Sequence, residues 1–187
     1  MQVQKTLLTI TIVLLSFYML YGQDDEYVTD YQPIRYEDYI YKPTIKTTLL
    51  HINGLLTSQP ILQLNQGTQM RLSFDDIAEE VVDYYYTVVQ CNFDWTPNTN
   101  MQEMEYIEGF SGERIRDYEF SYNTLVDYVH YELLLPNEDF SWTKSGNYLL
   151  IVYENEDISN VVFTKRFMVT EQNMQINHKI SQPLSFG

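Results

Sequence analysis

Apolar and polar residues alternate over several short stretches from Thr47 onward. Met70, Leu72 and Phe74 alternate with Arg71, Ser73 and Asp75, and Tyr118, Phe120 and Tyr122 with Glu119, Ser121 and Asn123. Val129, Tyr131, Leu133 and Leu135 alternate with His130 and Glu132. A period of two marks a strand with one buried and one wet face. Tyr148 to Tyr153 is apolar at every position, which predicts a central strand buried on both sides. Val161, Phe163, Phe167 and Val169 are expected on one face of a further strand, with Thr164 and Arg166 on the other. Thr47–Ile52, Ile61–Leu64 and Tyr84–Cys91 complete a set of about eight strands. Turn signals at Gly54, Gly67, Pro97-Asn98, Pro136-Asn137 and Ser145-Gly146 separate them. The pattern predicts an all-β fold, an immunoglobulin-like β-sandwich, with Phe120, Leu133, Leu150 and Phe167 in its core. No long helical period is present. Asp75–Val82 could form one helical turn, and Met101–Phe110 a loop or short helix. A small outer-membrane barrel is rejected: its strands need roughly 9–11 residues with a continuous apolar outer face. The runs here are shorter, and Lys165 falls on the more apolar face of its strand.

The two ends read differently. Lys5, the apolar stretch Leu7 to Tyr21 and the small residue Gly22 match a cleavable secretory signal peptide over residues 1–22, an uncleaved anchor being the alternative. No Cys lies near residue 22, so a direct lipid anchor there is excluded. Residues 23–44 form an acidic, Tyr-rich arm interrupted by Pro33 and Pro43; it is expected either disordered or extended along a surface. The sandwich is expected over 45–170, and a polar tail over 171–187.

Composition sharpens this picture. A chain of 187 residues corresponds to one domain, or one domain plus an arm. Its 17 Tyr favour strands. The formal net charge of -15 repels phosphate backbones and anionic lipid, so neither nucleic acid nor a membrane surface is an expected partner. Cys91 stands alone, so no intrachain disulfide forms, and its strand-like setting predicts a buried inert thiol.

Candidate chemistry is sparse. Asp75, Asp76, Glu79 and Glu80 form either a Ca²⁺ or carboxylate-pair site or a solvated loop; their spacing does not match a Ca²⁺-binding loop. His51, His130 and His178 have no zinc-ligand spacing, and His130 is expected to face outward or lie between layers. No nucleophile elbow, phosphate loop or dinucleotide fingerprint occurs, so no catalytic residue, cofactor or metal is assigned. Trp95 and Trp142 lie at predicted strand ends. They could anchor a protein partner or stack on a sugar; equally, they could cap the core. With Tyr106 they are the candidate partner-binding residues, and sugar binding would need these rings exposed together on one face.

Several segments, taken in order, carry a resemblance. They run from Leu72-Ser73-Phe74-Asp75-Asp76 and Asp83-Tyr84-Tyr85-Tyr86-Thr87 through Cys91-Asn92-Phe93-Asp94-Trp95. Glu108-Gly109-Phe110, Arg114-Ile115, Asp117-Tyr118, Ser121-Tyr122-Asn123-Thr124 and His130-Tyr131 follow. Leu135-Pro136-Asn137, Ser145-Gly146-Asn147-Tyr148-Leu149-Leu150, Val152-Tyr153-Glu154 and Arg166-Phe167-Met168-Val169 complete the set. Over about residues 45–170 the chain resembles the N-terminal β-domain of the type IX secretion system plug proteins. The resemblance implies a Gram-negative periplasmic subunit without catalysis. Its partner would be the large outer-membrane β-barrel translocon protein of that system, whose periplasmic opening the plug seals. Members usually continue into a second β-rich domain, so the tail from 171 is expected to be either the start of one or the end of a single-domain form. The alternatives are a periplasmic carbohydrate-binding sandwich and, third, a hydrolase built from scattered residues.

Overall fold

The computed structural model describes residues 33–78 and 80–171. The expected signal segment, residues 23–32 of the arm, Glu79 and the tail from 172 lie outside them.

Within the described residues the chain is all-β. Its strands are β1 (Tyr39–Ile40), β2 (Ile45–Ile52), β3 (Ile61–Gln63), β4 (Met70–Asp76), β5 (Tyr84–Cys91) and β6 (Ile107–Gly109). They continue as β7 (Glu113–Arg114), β8 (Asp117–Phe120), β9 (Val129–Leu135), β10 (Phe140–Trp142), β11 (Gly146–Glu154) and β12 (Asp157–Thr170). One sheet runs β1-β12-β11-β5-β7, with β3 added in parallel to the far end of β12. The second sheet runs β2-β4-β9-β8, and β10 pairs with β6 in a two-stranded ribbon.

The two larger sheets face each other as a sandwich, because each supplies a row of apolar residues at a period of two. Met70, Leu72 and Phe74 of β4 and Val129, Tyr131, Leu133 and Leu135 of β9 meet Tyr84, Tyr86 and Val88 of β5 and Tyr148, Leu150 and Val152 of β11. Aromatic rings fill the space between layers. Phe74 stacks on Tyr131 at a centroid distance of 5.0 Å and meets Tyr84 and Phe163 edge-on. β11 is central and apolar on both faces: Leu149, Ile151 and Tyr153 belong to a second, smaller cluster on the outer side of the first sheet. Leu133, Leu150 and Phe167 lie in the main core as expected from the alternation.

Three expectations are corrected. Phe120 is 67% exposed, because β8 is an edge strand whose four residues all face solvent. Val161 does not share a face with Phe163 and Phe167. Val152 pairs with Phe163 and Tyr153 with Val161, so a bulge at Val162 flips the pleat, sending Val162 into the main core and Val161 to the outer cluster. Asp75 and Asp76, expected to open a helical turn, instead end β4.

Gly109 makes a close approach possible. Its φ is +103°, and a Cβ there would lie 1.9 Å from the Asp139 carbonyl oxygen. Only glycine lets β6 lie against the chain entering β10.

Candidate interaction surfaces

Tyr106 follows a single 3₁₀ turn, Glu103–Glu105, closed by the Gln102 amide donating to the Glu105 carboxylate at 2.7 Å. Its ring is 6% exposed and packs near Tyr148. Trp142 is 4% exposed, with centroids 5.0 Å from Phe140 and 5.3 Å from Phe167. The expectation that these two rings present themselves to a partner is therefore corrected. Pairing of β10 with β6 folds this connection onto the main core and turns its aromatics inward. Of the three candidates only Trp95 stays partly accessible. The shared aromatic platform that sugar stacking needs is not formed.

Trp95 occupies a left-handed backbone conformation with φ of 66°, a costly setting for a bulky residue. Its turn is tied locally. The Trp95 amide donates to the Asn92 carbonyl at 3.1 Å, and the Asn92 amide to the Thr96 carbonyl at 2.8 Å. Asp94 accepts from the Thr96 hydroxyl and amide, which holds its carboxyl below the usual carboxylate range. The Arg166 guanidinium lies 4.6 Å over the Trp95 ring, and neighbouring Phe93 is 92% exposed.

The same Arg166 binds the incoming chain. It donates to the Tyr36 carbonyl, while its own amide donates to the Asp38 carboxylate at 2.7 Å. Thr164 donates its hydroxyl proton to the Glu37 carbonyl at 2.7 Å. Ile34, Tyr36 and Tyr41 thereby cover the outer cluster, and Tyr39–Ile40 pairs with β12 as a short edge strand. Lys42 pairs with Glu154 at the end of this strap. Beneath it Cys91 is buried. Desolvation pushes its thiol up to about 11, only partly offset by the charge of Arg166, so it stays protonated and inert at neutral pH.

On the outer face of the second sheet the acidic segment is split by the pleat. Asp75 points outward, 2.6 Å from His130 Nδ1. Asp76 points inward, is 1% exposed and accepts the Tyr84 hydroxyl at 2.7 Å and the Ala78 amide at 3.0 Å. Burial first, and this carboxylate second, push the Tyr84 phenol well above its ordinary range. Around His130, Glu132 is shared between His130 Nε2 at 3.5 Å and Arg71 at 2.7 Å. Among the described residues no group of three or more His, Cys, Asp or Glu is placed to hold a metal ion. Among the described residues His130 has carboxylates and no hydroxyl or thiol nucleophile at its ring nitrogens.

Sequence reasoning missed an exposed apolar surface. Tyr118 is 40% exposed and Phe120 67%, and they continue into Tyr122, Leu125 and Val126 at 94%, 106% and 59%. The alternation of Tyr118 and Phe120 is the same as that of a half-buried strand. Nothing in it distinguishes a central strand from an edge.

Comparison with known proteins places this architecture. Residues 45–171 match the family model described as the type 9 secretion system plug protein 1st domain. Among solved structures, the crystal structure of a hypothetical protein from Parabacteroides merdae is similar, with a TM-score of 0.69 and 34% sequence identity. The match covers 73% of this chain and 34% of that one, so the chain spans about a third of its length. No curated protein matches.

Proposed function

The chain belongs to the type 9 secretion system plug family, and on that premise we propose that it is a periplasmic binding subunit that docks on the outer-membrane translocon and seals its periplasmic opening. The observation that carries this reading is the family match over 45–171, which spans the sandwich from β2 to the end of β12. Membership in secretion machinery points to a structural role rather than catalysis. The inert thiol and the carboxylate-flanked His130 accord with that. Export would follow cleavage after Gly22. A net charge of -15 suits docking against basic residues of a partner, with association weakened by salt.

Burial of Tyr106 and Trp142 weighs against the carbohydrate-binding alternative, and of the proposed anchors Trp95 remains the one with accessible ring surface. The test is affinity purification of the tagged full-length protein from the native host's outer membranes at low salt. Recovery of the translocon barrel, together with envelope leakage when the gene is deleted, is the expected result. A product retaining residues 1–21, or absence of the barrel from the purified complex, refutes the reading.

A further inference from the structure

We propose that the free edge of β8 is a docking edge for an extended strand of a partner protein, one in which apolar residues alternate with Lys or Arg. This deepens the reading of the chain as a binding subunit and rests on it.

The backbone points first to β8. It ends the sheet order β2-β4-β9-β8, and no strand pairs with its outer side among the described residues. The Ser121 amide donates to the Tyr128 carbonyl at 2.9 Å. By the two-residue period of an antiparallel ladder, the amides and carbonyls of Tyr118 and Phe120 therefore face away from β9. Exposed edges of this kind are normally blunted by lysine, proline, a bulge or a covering segment. Those of β2, β12 and β7 are. β2 carries Lys46 and a register shift at Thr47, whose φ is 51°. The outer side of β12 is covered by β1 and β3. β7 has only two residues, and Arg114 is engaged by Asp83. β8 keeps a regular register with β9 and has neither Lys nor Pro.

The two faces of β8 define what would pair with it. On one face Tyr118 and Phe120 meet edge-on at 5.8 Å, and a groove of about 730 Å³ continues from them, lined by Ile77, Ala78, Phe120 and Val126 together with the polar Ser121 and Asp127. An added strand would place apolar side chains there. On the other face Asp117 and Glu119 form no ion pair among the described residues. With Glu132 they line a hollow of about 390 Å³, whose basic side chains are already engaged: Arg116 with Glu113 at 3.4 Å, and His130 with Asp75 and Glu132. A residue directly opposite Asp117 or Glu119 on an added strand lies within about 5.5 Å of it, so a lysine or arginine would be paired and an acidic residue repelled. The whole-chain charge of -15 reinforces this choice and opposes an anionic lipid surface as occupant. Main-chain pairing would supply affinity, and the alternation of side chains specificity.

The experiment uses the full-length chain in its native host. The photo-reactive residue p-benzoylphenylalanine replaces Tyr122, just beyond β8, or Leu49 on the opposite edge strand, and cross-linked peptides are sequenced by mass spectrometry. We expect the Tyr122 probe, and not the Leu49 probe, to cross-link a segment of apolar residues alternating with Lys or Arg. Asp117→Lys combined with Glu119→Lys should lower the yield at least tenfold with an unchanged thermal melt. Phe120→Pro, which removes an outward amide, should do the same; if that variant unfolds, the charge reversal alone decides. An acidic or helical cross-linked segment, a lipid adduct, no Tyr122 adduct, or a yield insensitive to charge reversal overturns the proposal. Co-purification of the translocon is scored on the same cells. A barrel recovered without the Tyr122 adduct defeats the docking edge and leaves the plug reading standing. The adduct formed with a protein outside the translocon does the reverse.

Discussion

Replacing Trp142 by Ala should destabilise the domain severely, and the size of the effect follows from where the ring lies. A buried aromatic removes roughly 150–250 Å² from water, worth about 4–6 kcal/mol at about 25 cal/mol per Å² as an upper bound. At 4% exposure nearly all of that burial is realised, and three rings, Phe140, Phe167 and Tyr148, face the cavity that would be left. Measured truncations of this kind cost about 3–5 kcal/mol. Against a typical domain stability of about 5–15 kcal/mol, the melting temperature should fall by about 10–20 °C. Trp142→Phe should cost much less, because the indole Nε1 is buried without a hydrogen-bond partner among the described residues and its loss leaves nothing unpaired. Trp95→Ala should cost under about 1.5 kcal/mol: it loses a cation–π contact worth about 0.5–1 kcal/mol and a partly exposed ring. Urea titrations of the three variants, followed by far-ultraviolet circular dichroism, check the order. The placement of Trp142 would be refuted if Trp142→Ala kept the parent midpoint, or if Trp95→Ala proved the more damaging change.

Four further outcomes are expected. Gly109→Ala should lower the urea midpoint well beyond an ordinary surface change, since its Cβ would collide with backbone rather than with a side chain that can move; a midpoint equal to the parent's would contradict the β6–β10 pairing. Cys91 should resist alkylation at pH 8 in the folded protein and react once urea unfolds it. Its folded pKa of about 11 exceeds the unfolded value of 9.0, so the folded state holds the proton longer. Stability should therefore fall as pH rises from about 9 to about 11, and the burial-raised phenol of Tyr84 acts in the same direction. Rising stability across that window, in pH-dependent urea melts, would reverse the sign of this argument. Arg166→Ala should release the strap, giving limited proteolysis within residues 33–38 while the sandwich resists; an unchanged cleavage pattern would show that the remaining strap contacts suffice.

What the sequence determined by itself was the set of strands whose pleat carries a strong apolar row. β4, β5, β9 and β11 were legible because burial of alternate side chains acts through nearest neighbours along the chain, and Leu133, Leu150 and Phe167 fell in the core for that reason. The burial of the lone thiol was legible only from its place at the end of an apolar strand; the residues that desolvate it, Leu149 and Ile151 under the strap of Ile34, Tyr36 and Tyr41, are distant in sequence. Tertiary structure alone decided which strand became an edge. Tyr118 and Phe120 alternate as regularly as Tyr131 and Leu133, yet they are exposed because no strand among the described residues pairs beyond β8. It alone decided that Trp142 turns inward while Trp95 lies under Arg166, since each orientation depends on a segment distant in sequence: Ile107–Gly109 for one and β12 for the other. It also divided Asp75 from Asp76, giving one to His130 and the other to Tyr84. Alternation states that two faces exist. Which face meets water, and which strand lies last, depends on contacts between residues far apart in the chain, and these are set only when the sheets close on each other.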